Sequence, residues 1–121
     1  MTHMPRRIFV YGTLKRGRSN HAFLSGQTFV GEAQTRPRYR LFDLGGYPGM
    51  IEVAKDGRSI RGEVWDVDAD CLQQLDVLED VEGGEYVRVE LSMEPPHDVA
   101  PVQGYLYLWS IASRPEVGVE W

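Results

Sequence analysis

The stretch Arg7-Ile8-Phe9-Val10-Tyr11-Gly12-Thr13-Leu14-Lys15-Arg16-Gly17 decides how this chain is read. Ile8 to Tyr11 are β-branched or aromatic, the residues that pack well on a pleated surface, and Gly12 ends the run, so a buried strand enters a tight turn here. A loop between a strand and a short helix can aim consecutive backbone N–H groups at a carboxylate or an oxyanion. The same glycines also fit an ordinary turn, and the segment alone does not separate the two readings. Gly12 to Ser19 nearly spells a phosphate-binding loop, but Arg18 stands where the lysine belongs and no alternating strand–helix units follow.

Outward from this stretch, a short helix is expected over Ser19 to Leu24 with Ser19 as N-cap. Strands are expected over Gln27 to Thr35 and Arg38 to Leu44, broken at Arg36-Pro37, and Gly45-Gly46-Tyr47-Pro48-Gly49 reads as a loop. Met50 to Val53 and Ile60 to Val67 bracket Lys55-Asp56-Gly57-Arg58, whose Asp-Gly pair signals a hairpin. Asp68 caps a helix from Ala69 to about Asp80. Two more strands follow the Gly83-Gly84 turn, Tyr86 to Met93 and Val102 to Trp109, and the tail after Ser110 has no clear period. Six or seven strands with one or two short helices, joined by hairpin-length links, imply an α+β domain on a curved or barrel-like sheet. The expected unit is one domain over residues 1–121, with a core from about 7 to 110.

The 121 residues are 42% hydrophobic, enough for one core. The longest apolar runs fall far short of a membrane span, and the charged start, Met1 to Arg7, leads into no secretory apolar region. The formal charge of −5 argues against nucleic acid as a partner. Arg6, Arg7, Lys15, Arg16 and Arg18 crowd the first 18 residues, either as an electropositive mouth for an acidic substrate or as a solvated surface. A single cysteine, Cys71, makes no internal disulfide and has no ligands at metal spacing, so a reducing, cytoplasmic location and no metal or other cofactor are expected. A monomer is expected.

Within the helix, Cys71, Leu72, Leu75 and Leu78 form the buried stripe, and Asp76 and Gln73 turn towards water. At 100° per residue Glu79 falls inside the stripe, where lost solvation would raise its pKa towards the range useful for proton transfer. Alternatively the helix ends before Glu79 and leaves it in a solvated terminal turn with Asp80, Glu82 and Glu85.

The string Val10 to Gly17, followed by Asn20-His21, resembles the opening of the γ-glutamylcyclotransferase-like family, especially its γ-glutamylamine cyclotransferase branch. Gly62-Glu63-Val64-Trp65-Asp66-Val67-Asp68, Leu75 to Glu79, Tyr86-Val87-Arg88 and Gly104 to Tyr107 resemble later blocks of that family in the same order. Leu78 and Asp80 depart from it, standing where an aromatic residue and a glycine are frequent. The resemblance implies a small barrel with the Tyr-Gly-Thr-Leu loop and Glu79 facing one cavity. It also implies a γ-glutamyl amine or small γ-glutamyl peptide as substrate, with 5-oxoproline and a free amine as products. Glu79 would be the acid and base, Tyr11, Gly12, Thr13 and Leu14 would hold the glutamyl group, and Tyr86, Arg88 and Tyr105 would be cavity neighbours. The enzyme reading stands against a non-catalytic small-molecule binding domain and, third, an interaction module built on Tyr105, Tyr107 and Trp109.

Overall fold

The computed structural model describes residues 5–121, so the reading of Met1 to Met4 lies outside the described residues. In chain order the strands are β1 Arg6–Val10, β2 Thr28–Gln34, β3 Tyr39–Asp43, β4 Pro48–Glu52, β5 Arg61–Val67, β6 Tyr86–Glu90, β7 Gln103–Tyr107 and β8 Glu116–Gly118. One α-helix, α1, covers Ala69–Leu78, and a 3-10 turn covers His21–Leu24.

Strand β1 takes the central place because both of its faces are apolar. Ile8 and Val10 enter one core with Trp65, Val67, Leu72 and Leu75, whereas Phe9 and Tyr11 enter a second with Tyr39, Leu41, Met50 and Ile60. Each such side chain contributes about 1.5–3 kcal/mol on burial. The five-stranded sheet runs β2-β5-β1-β7-β6, with β1 and β7 parallel at Ile8↔Gln103 and the other neighbours antiparallel. Helix α1 covers the first core through Cys71, Leu72 and Leu75, and the second sheet, β4-β3-β8, lies over the other. Among the described residues no helix is long and apolar enough to cross a membrane.

The expected barrel is corrected to two open sheets. The outer strands β2 and β6 do not pair along their lengths; beyond their ends the chain meets at one bridge, Thr35↔Met93. Buried Thr35 is spent on the loop before β5, accepting from the Ile60 amide at 3.0 Å, and Pro37 soon follows with no N–H to offer a ladder.

The Asp56-Gly57 hairpin is also corrected. The strands it was to join lie in different sheets, because β4 pairs with β3 and β5 with β1 and β2. Asp56 takes φ 59° but Gly57 has no positive φ, so the turn is not the twisted hairpin type, which needs both. Instead the loop folds back on β3, with Arg58 bridging Tyr39. Pro48 and Gly49, read as loop, begin β4. Gly49 is required there because a Cβ would stand 3.0 Å from the Tyr107 ring. The tail read as aperiodic supplies β8, which is three residues long and too short to show a period.

The Ser19 to Leu24 helix is a single 3-10 turn with Asn20, not Ser19, at the cap position. Asp68 caps α1 as expected, accepting from the Cys71 amide at 2.8 Å.

Gly62 tests how tightly β1 and β5 are set, because a Cβ there would overlap the Val10 carbonyl oxygen and press on the Phe9 ring. Gly62→Ala is expected to lose about 1–3 kcal/mol in urea unfolding, since neither neighbour has room to retreat. Stability equal to wild type would show that the strand pair is looser than described.

Candidate active site

At the C-terminal end of β1 the chain turns through Tyr11 to Leu14 and walls a cavity of about 40 Å³. The cavity is lined by Phe9, Val10, Tyr11, Gly12, Thr13, Leu14, Tyr47, Pro48, Glu79, Tyr86 and Tyr105. The turn is held from behind. The Asn20 side chain donates to Thr13 Oγ1 at 2.9 Å, its amide donates to the Thr13 carbonyl at 2.8 Å, and His21 Nδ1 stands 3.0 Å from the Leu14 carbonyl. Gly12 is there for packing, since a Cβ would sit 2.5 Å from Pro48 Cγ. Among the described residues the amides of Gly12, Thr13 and Leu14 donate to no protein acceptor, which leaves three consecutive donors beside the cavity.

Glu79 follows the last residue of α1 with φ −84° and ψ 2°, and its amide donates to the Leu75 carbonyl at 2.9 Å. Both sequence readings of it are therefore half right. The helix does end before Glu79, yet the carboxyl is directed into the protein. The next residue, Asp80, takes φ 52°, a conformation open to Asp and Asn as well as glycine. Its carboxylate accepts from the Gly83 amide at 3.1 Å, which lets an aspartate serve where the family often has glycine. Burial, and secondarily the nearby Glu85 carboxylate, raise the Glu79 pKa from 4.5 to about 7. Withdrawal from water penalises the charged form, and a like charge adds to the penalty.

The tyrosines around Glu79 are fixed by their own hydroxyls. Tyr11 Oη donates to the Tyr105 carbonyl at 2.6 Å and accepts from the Met50 amide at 3.3 Å. Tyr86 Oη donates to the Pro48 carbonyl at 2.7 Å, and Tyr105 Oη to Asp76 Oδ1 at 2.7 Å. Burial pushes all three phenol pKa values up, so they remain neutral donors at ordinary pH.

Of the sequence-selected residues, Glu79, Tyr11, Gly12, Thr13, Leu14, Tyr86 and Tyr105 meet at this cavity. Arg88 does not line it. It is turned to Asp76 through Nε at 2.9 Å and Nη2 at 3.2 Å, and to Gln103 through Nη1 at 2.6 Å. Asp76, read as turning towards water, is partly exposed and also faces inward. It takes hydrogen bonds from both Arg88 and Tyr105, so Arg88 reaches the cavity only through that chain. Phe9, Val10, Tyr47 and Pro48 also line the cavity and were not selected; the Tyr47 to Met50 loop resembles one in bacterial relatives of the family, but that likeness did not say which cavity it reaches.

None of the five basic N-terminal residues lines the cavity. Arg7 pairs with Asp66, Arg16 with Glu63 and Glu32, and Lys15 and Arg18 donate to the Trp121 carbonyl. Lys15, Arg16 and Arg18 instead border a wider, open groove of about 770 Å³ with Arg61 and His97. The buried Glu63, Lys15 and His97 in that groove already have protein partners, so the smaller cavity is the better chemical candidate despite its size. Among the described residues no group of three His, Cys, Asp or Glu side chains could hold a metal ion.

Glu79 gives a stability test. Its folded-state pKa lies above the unfolded value, so the charged form costs stability: nothing below pH 4.5, increasing up to about 7, and constant above. Glu79→Gln removes that cost, and urea unfolding is expected to find the variant more stable than wild type at pH 8 by up to about 3 kcal/mol, at 1.36 kcal/mol per unit. At pH 4 the advantage should vanish. An equal difference at both pH values would mean that the carboxyl is not strained by burial.

A family model described as gamma-glutamyl cyclotransferase, AIG2-like, matches residues 8–120. A Vibrio cholerae protein named provisionally as a gamma-glutamylcyclotransferase is 49% identical over 78 residues, 64% of this chain and 65% of that protein. A Drosophila melanogaster relative, also named provisionally, is 42% identical over 84 residues, and the chain spans 54% of it. The chain thus covers somewhat less than two-thirds of one relative's length and about half of the other's. Among solved structures, a Mus musculus AIG2-like protein superposes with a TM-score of 0.82 at 28% identity, covering 97% of this chain and 88% of that one. The Escherichia coli protein ytfP superposes with a TM-score of 0.70 at 30% identity, covering 95% of each chain. With the family's pattern followed from Ile8 to Glu120, the chain belongs to the gamma-glutamyl cyclotransferase, AIG2-like family.

Proposed function

We propose that this protein is a γ-glutamyl cyclotransferase that converts a γ-glutamyl amine or small γ-glutamyl peptide into 5-oxoproline and the free amine. The observation that carries the reading is one carboxyl, Glu79, with a pKa raised to about 7, sharing a cavity with the Gly12 to Leu14 amides. Glu79 as carboxylate takes a proton from the substrate's α-ammonium. The freed amine attacks the γ-carbonyl carbon, a ring C–N bond forms, and the original amide C–N bond breaks. The ring nitrogen loses its second proton as it becomes the lactam N–H, and both protons pass by way of Glu79 to the leaving nitrogen, which departs as an ammonium, so the carboxylate is regenerated and no external reactant is consumed.

The loop amides stabilise the charge that develops on the γ-carbonyl oxygen. Because the attack is intramolecular, holding the substrate folded supplies much of the acceleration, and no protein nucleophile is required. A proton acceptor with a pKa near 7 is well matched to such transfers at neutral pH.

The test is 5-oxoproline release from γ-glutamyl amines, γ-glutamyl dipeptides and glutathione. With wild type, kcat/KM is expected to rise with pH through about 7 as the Glu79 carboxylate forms. In Glu79→Gln that limb should disappear and the rate fall by about 10²–10⁴-fold, the usual contribution of a positioned acid or base. Ligand binding retained by both proteins, with no 5-oxoproline from either, would instead favour a non-catalytic binding domain.

A further inference from the structure

A cavity of about 40 Å³ has room for only a few waters, at about 10–15 Å³ each on this measure. Sites for small molecules usually run to about 300–1,000 Å³. If the cavity is the substrate site proposed above, one of its walls has to move. Most cannot. Phe9, Val10 and Leu14 are core residues, Pro48 is locked between Gly12 and the Tyr86 hydroxyl, and Tyr11 is tied at both lone pair and proton.

Tyr47 differs from all of these. It is 40% exposed, and its hydroxyl reaches Glu85 Oε2 at 3.0 Å in an exposed hydrogen bond. It ends the turn through Gly45 and Gly46, at φ 105° and 96°, and the space where their Cβ atoms would stand is empty. That turn is held by the Asp43 carboxylate accepting from both glycine amides and by the Leu44 amide donating to the Tyr47 carbonyl. Glu85 is the fixed side, since its amide donates to the Asp80 carbonyl at 3.1 Å and its carbonyl accepts from the Leu108 amide at 2.8 Å.

We propose that the Tyr47 ring, latched to Glu85, is the movable outer wall of the Glu79 cavity and limits the bulk of the amine half a substrate carries. The glutamyl half occupies the inner end against the loop amides, so the amine half leaves past Tyr47. With the ring swung out the cavity opens; with it latched, the access of water and bulky groups to Glu79 narrows. The selectivity part rests on the cyclotransferase reading, whereas the wall itself does not.

Two measurements separate them. Amide hydrogen exchange at Gly12, Thr13 and Leu14 is expected to quicken about tenfold or more in Tyr47→Ala, with Ile8 to Val10 unchanged as a check on folding. Tyr47→Phe, which keeps the ring and loses the latch, should fall between. Unchanged exchange at the three amides in Tyr47→Ala would overturn the wall, whatever the protein's activity. For selectivity, kcat/KM for γ-glutamyl-naphthylamide relative to γ-glutamyl-methylamide should rise about tenfold or more in Tyr47→Ala, a change of about 1.4 kcal/mol. A ratio within about twofold of wild type would overturn the selectivity role. Absence of turnover in wild type sinks the cyclotransferase reading and this selectivity role with it, and leaves the exchange result to decide the wall.

Discussion

From Ile8 to Val10 strand β1 has no solvent face, and the rest of the molecule is arranged around that constraint. A strand apolar on both sides needs cover on both sides: α1 supplies one, and the small sheet β4-β3-β8 the other. Its edges are occupied as well, by β5 along its length and by β7 at Ile8. A strand so enclosed delivers the residues after it to a reproducible place, which a site built on a loop needs.

The same packing makes Glu79 unusual. Leu72 and Leu75 draw α1 onto the sheet, so the residue after its last turn arrives beside β1, β6 and β7 rather than in water. Its surroundings are tyrosines whose hydroxyls are already committed, so they bound the carboxyl without neutralising it. Glu85 adds a like charge, and among the described residues no cation lines the cavity. The stability lost by burying this carboxylate is of the kind proteins retain where proton transfer benefits from it.

Arg88 shows how a residue can belong to a site without lining it. Its two-pronged contact with Asp76 orients the carboxylate that receives the Tyr105 hydroxyl, and Tyr105 in turn presents its carbonyl to Tyr11. The partly buried pair thus fixes a tyrosine of the cavity wall, which is a packing role. Arg7, Lys15, Arg16 and Arg18 are spent in a comparable way, pairing with acids or with the Trp121 carbonyl on another part of the surface.

Local rules were enough for what depends on neighbours in the chain. The β-branched run of β1 and the Asp68 cap and apolar stripe of α1 were legible because period and capping are properties of a few consecutive residues, whereas the place of Glu79 stayed open between two readings. The motif blocks made the loop and Glu79 candidates for one cavity. Asp56-Gly57 misled because its local preference for a hairpin lost to pairing of Arg58 with Tyr39, and β8 was invisible because three residues carry no period. Open sheets instead of a barrel, Asp76 turned inward, Arg88 turned aside, and Tyr47 brought across to Glu85 all depend on groups 12 to 40 or more residues apart meeting in space. The sequence by itself determined which residues were apolar, turning or chargeable; only the tertiary structure decided which of them lost their water together, because desolvation depends on every neighbour in space.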